Sequence, residues 1–430
     1  MVVSRSDSLA LLFQEALTII VRIRAGRQRL GDPRLFRTYV RNALQAAENA
    51  ALTYGYPAAD LETVRQALIA FLDESLLNAN NPQHAGLHQE LFGNRGGGQS
   101  FVRNLERLFE RLGSATVADV LEVHQLCLLL GFQAHLSGLE IRYLLREIDE
   151  RIQRIRNGRP HAAYFQENRR EGSPESQTVT LLLGAAGAGK SSLIAESGME
   201  LQQAAENAWR TGEALLVDGG PIANRRLFRR SDACVAVLSF DCDALLDPKR
   251  VETLAQNARE LRAMLAGVAR GTRAGLPVYA VFTKADKLKY FASFVRNFTE
   301  LEANENVGSP VRGSIGDAFD ALYRSLAAKR AKLLERESDP AQRPNIYEFP
   351  REFAKLRPLI IEFLSELCGP ASILLGFYFT GIAAFGAHTA ARRVWLRRLF
   401  PDVVLSSAPA RKPPGSIRTP ISIGRLIGMR

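Results

Sequence analysis

An all-α helical bundle followed by an α/β domain with a mostly parallel sheet is the fold class that this sequence predicts. Three observations carry it. Apolar residues recur at three-to-four spacing through residues 1–156, a polar stretch broken by Gly and Pro follows, and beyond it apolar runs alternate with helical patterns. With 430 residues the chain is long enough for two or three domains, and 46% apolar with 23% charged content is ordinary for a globular protein.

The helical faces come first. Leu9, Leu12, Phe13, Ala16, Leu17 and Ile20 share one, as do Leu61, Val64, Leu68, Phe71 and Leu72. Phe101, Leu105, Leu108, Phe109 and Leu112 make a third, and Ile141 to Ile155 a fourth. Breakers place loops at Gly31-Asp-Pro33, Asn80-Asn-Pro82 and Gly96-Gly-Gly98. Residues 157–176 are polar and weakly periodic, which predicts an interdomain linker. Residues 177–402 then form the α/β domain, with strands expected near 178–183, 214–217, 234–239 and 277–282. Past Pro401 the chain turns Pro-, Arg- and Ser-rich, so 403–430 is expected to be a basic tail without fixed structure of its own.

The apolar run Thr178–Leu183 leads into Gly184-Ala-Ala-Gly-Ala-Gly-Lys190-Ser191, which fits G-x-x-x-x-G-K-[ST], and a helical pattern leads out of it. Such a loop turns backbone N–H groups toward phosphate oxygens. The α/β domain is therefore expected to be P-loop NTPase-like. Gly184, Gly187, Gly189, Lys190, Ser191 and Ser192 would hold the phosphates, with Ser191 and Asp218 on Mg²⁺. Thr283-Lys-Ala-Asp286 follows the run Pro277–Phe282 and matches the [NT]-K-x-D pattern that reads guanine. Thr283, Lys284 and Asp286 are thus the candidate base-binding residues. The cofactor expected is Mg²⁺ with GTP, ATP being possible.

Several features predict slow turnover or none. Asp218-Gly-Gly-Pro221 has proline where a D-x-x-G loop would offer an N–H to the γ-phosphate. Lys190 and Asp218 are 28 positions apart, with Thr211 the only threonine between, and no glutamine is placed to orient water. No catalytic residue can be named. Asp241, Asp243 and Asp247 are expected to cap helices rather than bind metal, and Asp73-Glu74 to form an exposed acidic face with a possible docking role.

Of the net charge of +11, the stretch from Thr389 onward carries +8, which suggests an anionic membrane surface as a partner. Residues 369–391 are uncharged, but Pro370, Gly376, Gly381 and Gly386 interrupt them, and Phe377–Thr380 is expected to be a buried strand rather than part of a span. Four dispersed cysteines indicate a reducing compartment without a disulfide framework.

Both halves resemble known families. Phe71-Leu-Asp-Glu-Ser-Leu-Leu-Asn78, Leu91-Phe-Gly93, Gly96-Gly-Gly98 with Phe101, and Leu126-Cys-Leu-Leu-Leu-Gly-Phe132 look like the DotU/TssL cytoplasmic domain, over about residues 5–156. The phosphate loop, Pro277–Leu288 with Phe291 and Phe294, Tyr347-Glu-Phe-Pro-Arg-Glu-Phe353 with Leu356, and Gly376–Thr380 resemble the IcmF/TssM cytoplasmic NTPase domain, over about residues 177–400. The resemblance implies a component of the type VI secretion membrane complex, with membrane-complex and baseplate proteins as partners and no nucleic acid. It implies a cytoplasmic scaffold, peripheral at the inner membrane, that carries an NTP-binding switch. The family's membrane spans and large periplasmic region have no counterpart here, and its D-T-A-G becomes Asp218-Gly-Gly-Pro221. The alternatives are an interaction scaffold with a vestigial nucleotide site and a stand-alone regulatory GTPase.

Overall fold

The computed structural model describes residues 8–93, 96–156, 178–184, 187–205, 208–211, 214–218, 235–269, 275–367, 369, 372–384 and 391–406. The linker expected at 157–176, Gly219 to Pro221, Cys234, Cys368 and the chain after 406 lie outside the described residues. By internal contacts the chain divides into two compact units. One is Met1–Phe165 with Ala327–Glu348, and the other is Gln166–Leu326 with Phe349–Arg430.

The first unit is helical: α1 Leu9–Leu12, α2 Gln14–Arg24, α3 Pro33–Thr53, α4 Ala58–Asn78, α5 Leu87–Phe92, α6 Gly97–Glu110, α7 Ala115–Leu129 and α8 Gly138–Arg156. Asp32 opens α3 by accepting from the Arg34 and Leu35 N–H groups at 2.9 and 3.1 Å, with Pro33 at the first helical position. Helices α4 and α7 bury residues all round, including Val64, Leu68, Phe71 and Leu72 on one and Val120, Leu121, Val123 and Leu128 on the other. Helices apolar on every side belong in the middle of a bundle, and these two pack on each other. Phe101, Phe132, Phe71 and His124 form an aromatic cluster between α4, α6 and α7.

Asp73 and Glu74 on α4 are not an exposed acidic face. Asp73 accepts from the N–H groups of Gly86, Leu87 and His88 at 3.0, 3.1 and 2.8 Å, and so caps α5. Glu74 accepts from Gln133 and Ala134 at 2.9 and 3.0 Å. Both are half-buried, because each carboxylate satisfies loop donors that no helix ladder serves.

The second unit is built on a sheet of order β2-β3-β4-β1-β5-β6-β8-β7. Its strands are β1 Thr178–Gly184, β2 Gln202–Ala205, β3 Ala208–Arg210, β4 Ala214–Asp218, β5 Val235–Asp241, β6 Leu276–Thr283, β7 Val307–Pro310 and β8 Ser372–Phe379. The central pairs β4/β1, β1/β5, β5/β6 and β6/β8 are parallel. Antiparallel β2–β3 and β7 close the two edges. The four strands expected from the apolar runs are present; the β2–β3 hairpin and β7 were not anticipated. The strand expected at Phe377–Thr380 is β8, which extends upstream to Ser372.

Pleating sends alternate residues to opposite faces. Val235, Val237, Tyr279, Val281 and Tyr378 face α9 (Lys190–Ala195) together with Leu396, Leu399, Phe400 and Val404. Phe240, Phe282, Phe377 and Phe379 meet Phe319, Phe353 and Phe363 on the other face. Residues past Pro401 therefore belong partly to the core. Phe400–Leu405 is a π-helical turn, and Val404 is fully buried where an unstructured tail was expected from 403.

A small second sheet pairs β9 Gly381–Ala383 with β10 Arg392–Val394. No helix among the described residues is long and apolar enough to cross a membrane.

Candidate functional site

Strand order reverses at β1, with β4 on one side and β5 on the other. Connections leaving neighbouring strands diverge at such a point and open a crevice at the carboxyl ends. Gly184 and the stretch Gly187–Lys190 sit there. Gly184 has φ +153°, and a Cβ on it would collide with the Ser239 carbonyl oxygen across the β1/β5 pair, so only glycine fits. Gly187 and Gly189 hold φ +79° and +84°; a Cβ at Gly187 would meet open space, and one at Gly189 would press on Thr283.

Lys190 follows at the start of α9 and is only 8% exposed. Its Nζ donates to the Gly184 carbonyl at 2.8 Å, closing the loop on itself. Burial lowers its pKa from the ordinary 10.5, and the charge of Asp218 at the end of β4 pulls it back up. Ser191 is exposed and Ser192 half-buried on α9. That helix has six residues, so its dipole is a short one.

The end of β6 clasps the loop from the other side. Thr283 Oγ1 lies 3.0 Å from the Ala188 carbonyl, 3.1 Å from that of Phe240 and 3.2 Å from Asp241 Oδ1. Its single proton can serve one of them. Ser239 Oγ donates to the same Ala188 carbonyl. Lys284, at φ +58°, donates to Asp241 Oδ2 at 2.7 Å. Asp286 Oδ1 accepts from the Ile382 N–H of β9 at 3.0 Å.

The structure thus gathers Gly184, Gly187, Gly189, Lys190, Thr283 and Asp218 around one loop. Lys284 and Asp286 stand at the end of β6 with their charged groups engaged within the fold. Ser239 and Asp241 are contributors that sequence reasoning passed over as strand end and helix cap. Asp241 does occupy the N-cap position of the helix Cys242–Leu246, yet its side chain makes no capping bond and holds Lys284 instead. The register already carries the signal, because Ser239 pairs with Gly184 and Asp241 with Thr283. Among the described residues no cluster of three or more His, Cys, Asp or Glu side chains is placed to hold a metal.

The family model described as Type VI secretion system protein DotU matches residues 8–195, and that of the IcmF-related N-terminal domain matches 235–399. The chain joins a DotU region to an IcmF-related region. The DotU match continues past the bundle through β1 and the glycine loop, whereas the IcmF match begins at β5, later than the residue 177 expected. The type VI secretion system component TssM1 of Pseudomonas aeruginosa is 25% identical over 255 residues, 46% of this DotU–IcmF chain. The alignment takes in 23% of that relative, so the chain spans about a quarter of its length. The cytoplasmic domain of TssL from Acinetobacter baumannii is 27% identical, matching 35% of this chain and 99% of its own, with a TM-score of 0.32. The chain is thus similar to type VI secretion proteins of the DotU and TssM kinds.

Proposed function

We propose that this chain is a scaffold of the type VI secretion membrane complex, cytoplasmic and peripheral at the inner membrane, whose sheet unit binds a nucleoside triphosphate as a switch. The observation that carries the nucleotide part is Lys190, a buried cation held in a glycine loop at the carboxyl end of β1. The loop fits a polyphosphate: Gly187 is open outward, and phosphate oxygens can replace the Gly184 carbonyl as the acceptor for Lys190 Nζ. Bound Mg²⁺ would neutralise phosphate charge, with Ser191 and Asp218 as the residues that would hold it. Lys284 and Asp286 favour guanine as the base. The helical unit docks baseplate proteins, through surfaces other than the Asp73 and Glu74 carboxylates, which are occupied.

Titration with fluorescent GTP and ATP analogues, with and without Mg²⁺, tests this reading. Mg²⁺-dependent binding that prefers GTP and is lost in Lys190→Ala is the expected result. Retained affinity in that variant would remove Lys190 from the site. A second reading, a scaffold whose nucleotide site is vestigial, is favoured by the internal bonds of Lys284 and Asp286. It predicts no binding of either analogue and secretion unchanged by Lys190→Ala.

A further inference from the structure

Residues 327–348 lie in the second half of the sequence, but they pack within the helical unit. The segment contains α10 (Arg330–Arg336) and the first half of α11 (Arg343–Ala354), and α10 packs on α7. Leu333, Leu334, Ile346 and Tyr347 are buried, which gives the contact an apolar centre.

Around that centre the polar bonds converge on arginines. Glu348, whose side chain is 2% exposed, is gripped from both sides: Arg22 Nε donates to Oε2 at 2.9 Å and Arg27 Nη1 to Oε1 at 3.3 Å. Arg27 Nη2 also donates to Asn345 Oδ1 at 2.6 Å. Arg343 donates at 3.0 Å to the carbonyl of Leu129, which ends α7 and has no partner within its helix, and grips the Glu337 carbonyl with Nε and Nη2. Arg330 reaches Gln14 at 3.3 Å and lies 4.6 Å over the Tyr347 ring. A buried carboxylate is tolerable only while its cations are in place, so this arrangement requires the two parts of the chain to meet.

We propose that residues 327–348 are a docking element for the helical unit, and that the face built from Gln14, Arg22, Arg27 and the Leu129 carbonyl is its receptor. The two regions of the chain therefore remain bound when the peptide connecting them is cut. This proposal is independent of the nucleotide site.

The test uses the full chain with a protease site inserted within 157–176, cleaved and followed by size-exclusion chromatography at micromolar concentration. The fragments should co-elute. Glu348→Arg should weaken their association at least 100-fold, and Arg22→Glu with Arg27→Glu in the same Glu348→Arg chain should restore most of it. Fragments that separate in the unsubstituted protein would overturn the proposal. So would co-elution unaffected by Glu348→Arg, because something else would then hold them. Failure of the charge exchange to restore association would remove the Glu348 contact from the interface.

Discussion

The helical unit and the sheet unit use their motif carboxylates and glycines in opposite ways. On α4, Asp73 and Glu74 turn inward and accept five backbone N–H bonds from two loops, so a motif with the look of a docking face works as a pair of staples. At the end of β1, Gly184, Gly187 and Gly189 accompany the buried Lys190, and a Cβ at Gly187 would meet open space. A charged group that completes the hydrogen bonding of its own fold is placed there for stability. Lys190 also bonds within its own loop, and only the proposed nucleotide would set its role apart from that of Asp73 and Glu74.

The largest expected effect in the sheet unit comes from Gly184→Ala. The new Cβ would drive into the Ser239 carbonyl at a φ that side chains avoid, costing about 3 kcal/mol or more and abolishing any nucleotide binding. Amide exchange should show the loss across β1 and β5 and leave α4 and α7 protected. If α4 lost protection equally, the contrast between the units would fail.

A matching effect in the helical unit is set by pH. His124 is fully buried, and burial holds its pKa at about 4 against the ordinary 6.5, although its Nδ1 bond to the Val120 carbonyl pulls the other way. Between those values the unfolded chain binds a proton that the folded one refuses. Stability is therefore complete above about pH 6.5 and falls as the pH drops toward 4, by roughly 3 kcal/mol. Denaturant unfolding at pH 7 and 4 measures it, and His124→Gln should flatten the decline. An equally steep decline in that variant would place the acid sensitivity elsewhere.

Asp73→Ala should cost less, about 1–2 kcal/mol, seen as a lower melting temperature. Burial raises the Asp73 carboxyl above its ordinary pKa while the three N–H bonds lower it, so the two contributions partly cancel. Asp73→Asn should be milder, since an amide oxygen still accepts. Smallest is Lys284→Ala. Its ion pair with Asp241 is 40% exposed on the lysine side, so stability should change by under about 1 kcal/mol. Any preference for GTP over ATP should nevertheless shrink, and an unchanged preference would take Lys284 out of base recognition.

Much of the architecture was legible because it follows from periodicity. The four apolar runs became β1, β4, β5 and β6, and the Gly31-Asp-Pro33 breaker became a capped helix start. The hairpin β2–β3 was hidden by the short polar strand Gln202–Ala205, which owes its pairing to its neighbours rather than to its own composition. The roles of Asp73 and Glu74 were illegible for another reason. Their partners are backbone groups 13 to 60 residues away, and a carboxylate's sequence context says nothing of distant N–H groups. Val404 was misread because basic, Pro-rich composition marks the chain around it, whereas one apolar face suffices to bury a short turn. At the loop, the motif located Gly184 and Lys190, but only strand register brought Ser239 and Asp241 to them.

The distance along the chain between Arg22 and Glu348, 326 positions, sets an order of events on the ribosome. The first eight helices emerge long before the segment that completes their packing. At about 5–20 residues per second, the interval from Arg156 to Glu348 is on the order of 10–40 s. Throughout it, the surface that will receive Leu333, Leu334, Ile346 and Tyr347 faces solvent. The order of the two regions along the chain therefore sets how long that apolar surface waits for its cover.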